Sequence, residues 1–533
     1  MYFSKLFLTA TVVLLSSSYA STTLVYCPEA NPEGFTPMLY STGTTFDASA
    51  GPIFNRLVQF ERGTAQLVPA LADSWELSED SLVHTLHLRK DVEFHSNKFF
   101  TPTRKMNADD AIFTFERMFD EKHPWHKVSG GNYLFYHSQG IPQNVASITK
   151  RDDHTLIFTL KSPDVTFLVN LAHPVGSILS AEYADKMMRA GTPEILDRNP
   201  IGTGPFEFVA FKPDAMVRYK AFKNYFRGKV PLDTLIFAIT IDPSVRVAKL
   251  EKGECDVIPY PNMADIERLS KLPNVSIQKA EAMNIGYIAF NTKKPPFDNI
   301  KVRQALSLAV NKQSIIDNLY KGFGFVEKNP FPATIWGYNN EITPYPYDPE
   351  QAKKLLSEAG IKDLTVQLWA MPVSRPYNPD AKKMAEMIQA DLAKVGVKAQ
   401  IANYEWAEYI QRTRNGEHEM MMFGWTTANG DPDNFLFPLL SCDAATTGRN
   451  LAFWCDDTFN NLIISARKIS DREKRTELYK QAQVIFHNQA PWIPMARSYN
   501  ISGVRKRVID YKDSPFSFHD FEGVSISTQE DIR

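Results

Sequence analysis

The chain has 533 residues, more than one hydrophobic core usually serves, so two or more lobes are expected. Apolar residues make up 44% and charged residues 23%, an ordinary globular balance that excludes a disordered chain or an integral membrane protein. A formal net charge of -2 supplies no basic field, which excludes nucleic acid as a partner.

Residues 1–20 read as an export signal. Lys5 gives the positive start, Leu6 to Leu15 is a short, mostly apolar run, and Ser18-Tyr19-Ala20 is a small-x-small cleavage site, so the mature chain is expected to begin near Ser21. The run is too short to cross a bilayer, and no later stretch approaches about 20 consecutive apolar residues. Cys27 follows Val25-Tyr26 rather than a small-residue lipobox, which argues against a lipid anchor. Four cysteines lie in the mature part, none in a CxxC arrangement, and an exported chain keeps disulfides; three pairings are open on spacing alone.

Residues 22–27 predict a first strand. The polar run Ser41-Thr42-Gly43-Thr44-Thr45 reads as a loop entering a helix over 48–57, with Thr44 in a capping turn on its residues alone. Between 67 and 115 comes Ala70-Leu71-Ala72-Asp73-Ser74-Trp75, an alternating strand over 84–89, and a helix capped by Asn107 or Asp109. His84, His87 and His95 carry no metal pattern, since His84 and His87 fall on opposite faces of a strand. The run Pro200-Ile201-Gly202-Thr203-Gly204-Pro205 marks a glycine turn before a strand, without the spacing of a phosphate loop.

Residues 242–256 predict a helix ending at Gly253, followed by a strand to Pro259. A strand over 284–290 and helices over 301–310 and 312–320 follow, with the change of lobe placed near Ala282. A helix over 348–359, a strand over 364–369, a helix over 381–395 and a strand over 397–402 give the rhythm of an α/β lobe. Residues 424–455 read as a loop, opened by Gly424-Trp425 after the apolar run Met420 to Phe423 and closed by two cysteines. The helix over 471–486 is broken by Pro491 and Pro494, and the segment 501–510 follows.

Motifs of catalysis are missing: no GxSxG elbow, no zincin helix, no P-loop. Asp431 and Asp433 form a carboxylate pair, but Asp-Pro-Asp in a loop is ordinary turn chemistry. Arg375 is different. It follows the strand over 364–369 in Trp369-Ala-Met-Pro-Val-Ser-Arg375-Pro376-Tyr377-Asn378-Pro379, and a proline-locked arginine of this kind presents a planar fork suited to a carboxylate. Trp406, by residue type alone, reads as a core residue.

Gly424-Trp425-Thr426, then Asn429-Gly430-Asp431-Pro432-Asp433-Asn434-Phe435, then Ser441-Cys442 and Trp454-Cys455 follow one another in an order and spacing that resembles the extracellular solute-binding proteins of family 5, above all the dipeptide-binding members that feed peptide ABC importers. The 67–115 block and the PxGTGP turn are similar too, and the resemblance covers almost the whole mature chain. It implies an α/β, periplasmic binding protein type II-like fold: two lobes joined by a hinge, with an extra subdomain over about 55–200 in the N-terminal lobe. The first lobe would span 21–281, the second 282–499, and 500–533 would return to the first. It favours Cys27 with Cys255 and Cys442 with Cys455.

For ligand binding it implies Arg375 on a C-terminal carboxylate, Tyr377 in the same segment, Trp406 as an apolar wall, the main chain at Gly424 and Trp425 pairing with an extended peptide, and Thr44 at the cleft. Ala428 stands where the dipeptide-binding members carry the aspartate that anchors the ligand's ammonium; Asp431 or Asp433 would have to substitute, or the ligand lacks that group. The implied protein is a periplasmic monomer with no catalytic residue, metal or cofactor, taking short peptides to an inner-membrane ABC permease. Members that take glutathione, haem or antimicrobial peptides are the alternatives within the family. A periplasmic hydrolase or chaperone is the alternative outside it.

Overall fold

The computed structural model describes residues 22–427, 429–446 and 449–527. Its spine is one 14-residue strand, Trp492–Arg505, buried along nearly its whole length. Through Trp492 to Ala496 it pairs antiparallel with Asn284–Phe290, and through Tyr499 to Arg505 with Val275–Glu281. A single sheet of twelve strands therefore runs through the molecule. Its main path takes, in order, the strands at 397–402, 364–369, 420–426, 284–290, 492–505, 257–259, 23–26, 234–238, 216–221 and 206–212.

Two apolar cores flank this spine. One gathers Leu24 through Val257 and resumes at Val504; the other gathers Ile285 through Ala496. Between them the chain crosses twice, at Ala282-Met283 and within Trp492–Arg505, and the crossings are tied together. Ala282 N donates to Ser498 O at 3.0 Å, and the buried Asn284 amide exchanges bonds with Ser498 N and Oγ, each at 3.1 Å. Two antiparallel crossings joined in this way are a compact pivot.

The first body also carries a four-stranded antiparallel sheet, in the order 72–77, 83–88, 155–160, 145–152. The helix Ala108–Phe119 packs against it, started by a capping box between Asn107 and Asp110. The three histidines of this region pack as the strand pattern suggested. His84 is buried against Phe167, and burial pulls its pKa down to about 4. His87 lies 3.3 Å from Glu76. His95 is buried, its Nε2 2.8 Å from Gly204 O and its Nδ1 accepting from Gly202 N at 3.3 Å, so it clamps the glycine turn. That turn lies on the main chain of 52–54: a Cβ on Gly202 would stand 2.1 Å from Ile53 O. Close backbone approach, not phosphate binding, explains its glycines.

The same contact corrects the helix expected over 48–57. The observed helix is Gly43–Ala48. Past it, Ile53 O and Pro52 O accept from Gly204 N and Phe206 N, so the backbone groups a longer helix needs are used by the glycine turn. The helix expected over 471–486 runs Arg472–Gln489 and stops before Pro491, while Pro494 falls in a strand. It sits inside Trp492–Arg505 at the point where the register against Gly286 and Tyr287 slips, a bulge that tolerates a residue without an N–H. The stretch 424–455 is mostly not loop: Met420–Thr426 continues as a strand through Gly424, and helices Asp433–Leu440 and Cys442–Thr446 follow. Both disulfides pair as the resemblance implied, with Cα–Cα separations of 5.9 Å for Cys27–Cys255 and 4.7 Å for Cys442–Cys455. Among the described residues no helix is long and apolar enough to cross a membrane.

Candidate functional site

In the second body, Gly286 and Gly424 stand directly opposite each other in the ladder between Asn284–Phe290 and Met420–Thr426. Neither has space for a side chain. A Cβ on Gly286 would lie 2.4 Å from Tyr377 O, and one on Gly424 would lie 2.3 Å from the Tyr377 ring. The paired glycines leave a flat patch on the sheet, and the 374–379 segment rests on it. That segment is closed on itself by Arg375 N to Asn378 O at 3.0 Å and Asn378 N to Arg375 O at 2.9 Å, and pinned by the Tyr320 hydroxyl donating to Tyr377 O at 2.6 Å. Burial raises the Tyr377 phenol pKa above its ordinary value, while the adjacent, hydrogen-bonded Arg375 guanidinium opposes the rise.

Arg375 is thereby held rigidly at its main chain, with its guanidinium half-buried and 5.5 Å above the ring of Trp406. Trp406 opens the helix Trp406–Arg414 and stacks on Phe423 and Tyr409, with centroids 6.1 and 5.8 Å apart. Among the described residues Arg375 forms no ion pair; besides its contact with the Tyr377 phenol, its guanidinium donates from Nη1 to Ser374 O at 3.3 Å. Nearby Arg412, by contrast, is held by Glu408 and Glu417 and lies 4.0 Å over Tyr404. A fixed guanidinium with an aromatic plate beneath it is chemically suited to donate hydrogen bonds to a carboxylate.

Beside this group runs an open strand edge. The parallel pairing of Leu364–Trp369 with Met420–Thr426 ends at Trp369 opposite Met421. On the other side, Thr427 N donates to Met283 O and Asn291 N to Glu419 O, so odd-numbered residues of this strand face Asn284–Phe290. Even-numbered residues turn their main-chain groups the other way. Met422 O accepts from the Tyr409 hydroxyl at 2.6 Å, leaving Gly424 and Thr426 at an edge with no strand beside it among the described residues.

Arg375, Tyr377, Trp406 and Gly424 thus come together. Trp425 sits next in the strand, its Nε1 donating to Asn434 Oδ1 at 3.1 Å. Asp431 is held elsewhere: it lies 8% exposed and pairs with Arg475 at 2.8 Å, and its Oδ1 accepts from Asp433 N. Thr44 lies in the first turn of Gly43–Ala48 in the first body, buried, with its hydroxyl 3.5 Å from Thr42 Oγ1. Ala428 lies outside the described residues.

Asp433, the other carboxylate of the motif, is 1% exposed, and burial pushes its pKa up to about 7 while Arg467, 3.5 Å away, opposes the rise. Sequence reading missed Arg467 and its partner across the bodies, Asp164; the separation of 303 positions leaves no local signal of that pairing. The grouping of Cys442, Cys455 and Asp457 brings three potential metal-ligand atoms together, but its sulfurs are joined in a disulfide.

Comparison with known proteins accounts for this architecture. The family described as bacterial extracellular solute-binding proteins, family 5 Middle, matches residues 66–447. The chain is 51% identical over 523 residues to the dipeptide-binding protein of Escherichia coli K12, covering 98% of each chain. It is 48% identical to heme-binding protein A of Haemophilus influenzae, covering 96% of this chain and 93% of that one. A crystal structure of a dipeptide-binding protein from Pseudoalteromonas sp. SM9913 in complex with Met-Leu superposes with a TM-score of 0.87 at 39% identity, over 95% of this chain and 100% of the other. With the glycine-seated arginine, the open strand edge and the double crossing in place, the chain belongs to the bacterial extracellular solute-binding proteins of family 5.

Proposed function

We propose that this chain is the periplasmic substrate-binding component of an ABC importer and captures dipeptides or other short peptides between its lobes. The observation that carries the reading is Arg375: a guanidinium fixed at its backbone, seated over Trp406 and free of any acid among the described residues. It receives the C-terminal carboxylate, while the edge at Gly424 and Thr426 pairs with the peptide main chain as an added strand would. The relatives named for dipeptide binding, and the one complexed with Met-Leu, support this substrate class.

The lobes comprise residues 21–281 with 500–533, and 282–499, turning about the crossings at Ala282-Met283 and Ser498. Ligand bridges the lobes and shifts the population toward the closed form, which docks on an inner-membrane permease. The chain acts as a monomer and breaks no bond. The ammonium end is where the sequence departs from the dipeptide-binding members, at Ala428, and Asp431 does not replace the anchor because Arg475 already occupies it.

Calorimetric titration of the refolded, ligand-stripped protein with Met-Leu, N-acetyl-Met-Leu, glutathione and haem tests the proposal. Tight binding of Met-Leu, reduced by roughly 2–5 kcal/mol in Arg375→Ala, is expected. Equal affinity for the acetylated peptide, with a gain for the free amine in Ala428→Asp, is the expected sign of the missing anchor. Heat from glutathione or haem alone overturns the peptide assignment.

A further inference from the structure

The two bodies also meet around Arg467, away from the sheet. This residue ends the helix Asp457–Arg467 of the second body. Its Nη2 donates to Asp164 Oδ2 and to Gln139 O, both at 2.9 Å, and its own carbonyl accepts from Val165 N at 3.0 Å; all three partners belong to the first body. Asp164 is preset for this role, because its Oδ1 accepts from Thr166 N and Oγ1 and leaves Oδ2 for the arginine. Close by, Asn429 Nδ2 donates across the same boundary to Asn170 Oδ1 at 2.6 Å.

On its other side Arg467 has a second acid, from its own body. Asp433 Oδ2 lies 3.5 Å from Nε, beyond a hydrogen bond, and neither Asp433 oxygen has a hydrogen-bond partner although the residue is 1% exposed. The arginine is therefore shared unequally. Its hydrogen bonds go to the opposite body, while its own body holds it by the Phe437 ring, 3.9 Å from Cζ, and by the longer Asp433 contact, and the buried Asp433 bears the desolvation that follows. Arg475, Asp431, Asp164 and Tyr479 also face Asp433, and none of them satisfies its oxygens.

We propose that Arg467 is the latch of lobe closure, a positioning residue that leaves Asp433 for Asp164 as the lobes close and so sets affinity without touching the ligand. The inference rests on the hinge-closing reading above. Separation of the bodies removes Asp164, Gln139 O and Val165 N from Arg467 and lets it satisfy Asp433. The two acids thus act with opposite sign: Asp164 favours the closed form and Asp433 the open one.

Hydrogen exchange at the Val165 amide and its neighbours to Asn170, measured without ligand, reads closure directly. Arg467→Lys and Asp164→Asn should speed this exchange, and Asp433→Asn, which removes the competing charge, should slow it. With Met-Leu as the probe, the first two should weaken binding roughly 5- to 150-fold through faster dissociation, Asp433→Asn should tighten it, and the double variant Arg467→Lys/Asp164→Asn should be no weaker than the worse single one. Faster exchange in Asp433→Asn would make that residue a plain structural support and overturn the latch, as would unchanged exchange in Arg467→Lys. Failure of Met-Leu to bind, with the exchange pattern as expected, would overturn the peptide assignment and leave the latch standing.

Discussion

The glycine platform beneath Arg375 makes a sharp prediction for Gly424→Ala. The added methyl would start 2.3 Å from two ring carbons of Tyr377 and 2.5 Å from Ile285 O, so Tyr377 and the segment carrying it must lift from the sheet. Overpacking of this kind costs about 1–3 kcal/mol. Alanine in a strand regains about 0.5–1 kcal/mol relative to glycine, which leaves a net loss of roughly 0–2.5 kcal/mol. For a chain of this length that is a fall in melting temperature of at most about 2 °C. Binding should suffer far more. The carboxylate contact, worth roughly 2–5 kcal/mol, depends on where Arg375 stands, and a shift of about 1 Å removes much of it. Calorimetry with Met-Leu on the wild type, Gly424→Ala, Arg375→Ala and the double variant forms a cycle. The expected result is a large loss for Gly424→Ala and no further loss in the double variant beyond Arg375→Ala alone. Wild-type affinity in Gly424→Ala, or additive losses in the cycle, would refute the idea that the paired glycines position the arginine.

Other consequences follow from the buried charges and cross-links. His519 is fully buried; burial lowers its pKa, but Asp47, 2.8 Å from Nδ1, outweighs that and raises it to about 9. The stabilisation is complete below the unfolded value of about 6.5 and is lost as pH rises through about 9, so the difference in melting temperature between the wild type and His519→Gln should shrink across that window; a constant difference would contradict the pairing. Replacing both Cys27 and Cys255 by serine opens a loop spanning 228 positions, against 13 for Cys442 and Cys455. Chain entropy makes the losses about 5 and about 3 kcal/mol, and urea denaturation should rank them in that order. His95→Ala leaves Gly202 N and Gly204 O without their buried partner and should cost about 1–3 kcal/mol in the same assay.

The sequence by itself determined most of the elements and the chemistry of one end of the site. Lys312–Tyr320, Leu364–Trp369 and Val397–Ala402 follow from periodicity, because each buries one face on a core and the next element begins where glycine or an acid-led cap interrupts it, whereas Asn284–Phe290 reads as a strand from its short apolar run and is buried throughout. Arg375 was legible as a presented cation because the prolines around it prevent it from joining a helix. The helix Asp433–Leu440 was not legible. Its Asp-Pro-Asp start reads as a turn and Pro438 lies inside it, and it stands because seven of its eight residues are buried in the second core.

Tertiary structure alone decided the rest, since it depends on contacts between distant positions. Only the ladder reveals that Gly286 meets Gly424, 138 positions later, and that the pair makes a floor for Tyr377. Only the fold of the second body shows that Asp431 is taken by Arg475, and only its packing on the first that Arg467 stands between Asp164 and Asp433. A residue's type and neighbours in sequence fix what it can bind; which partner it has, and whether a charge is left over for a ligand, is set by the three-dimensional contacts that satisfy or desolvate it.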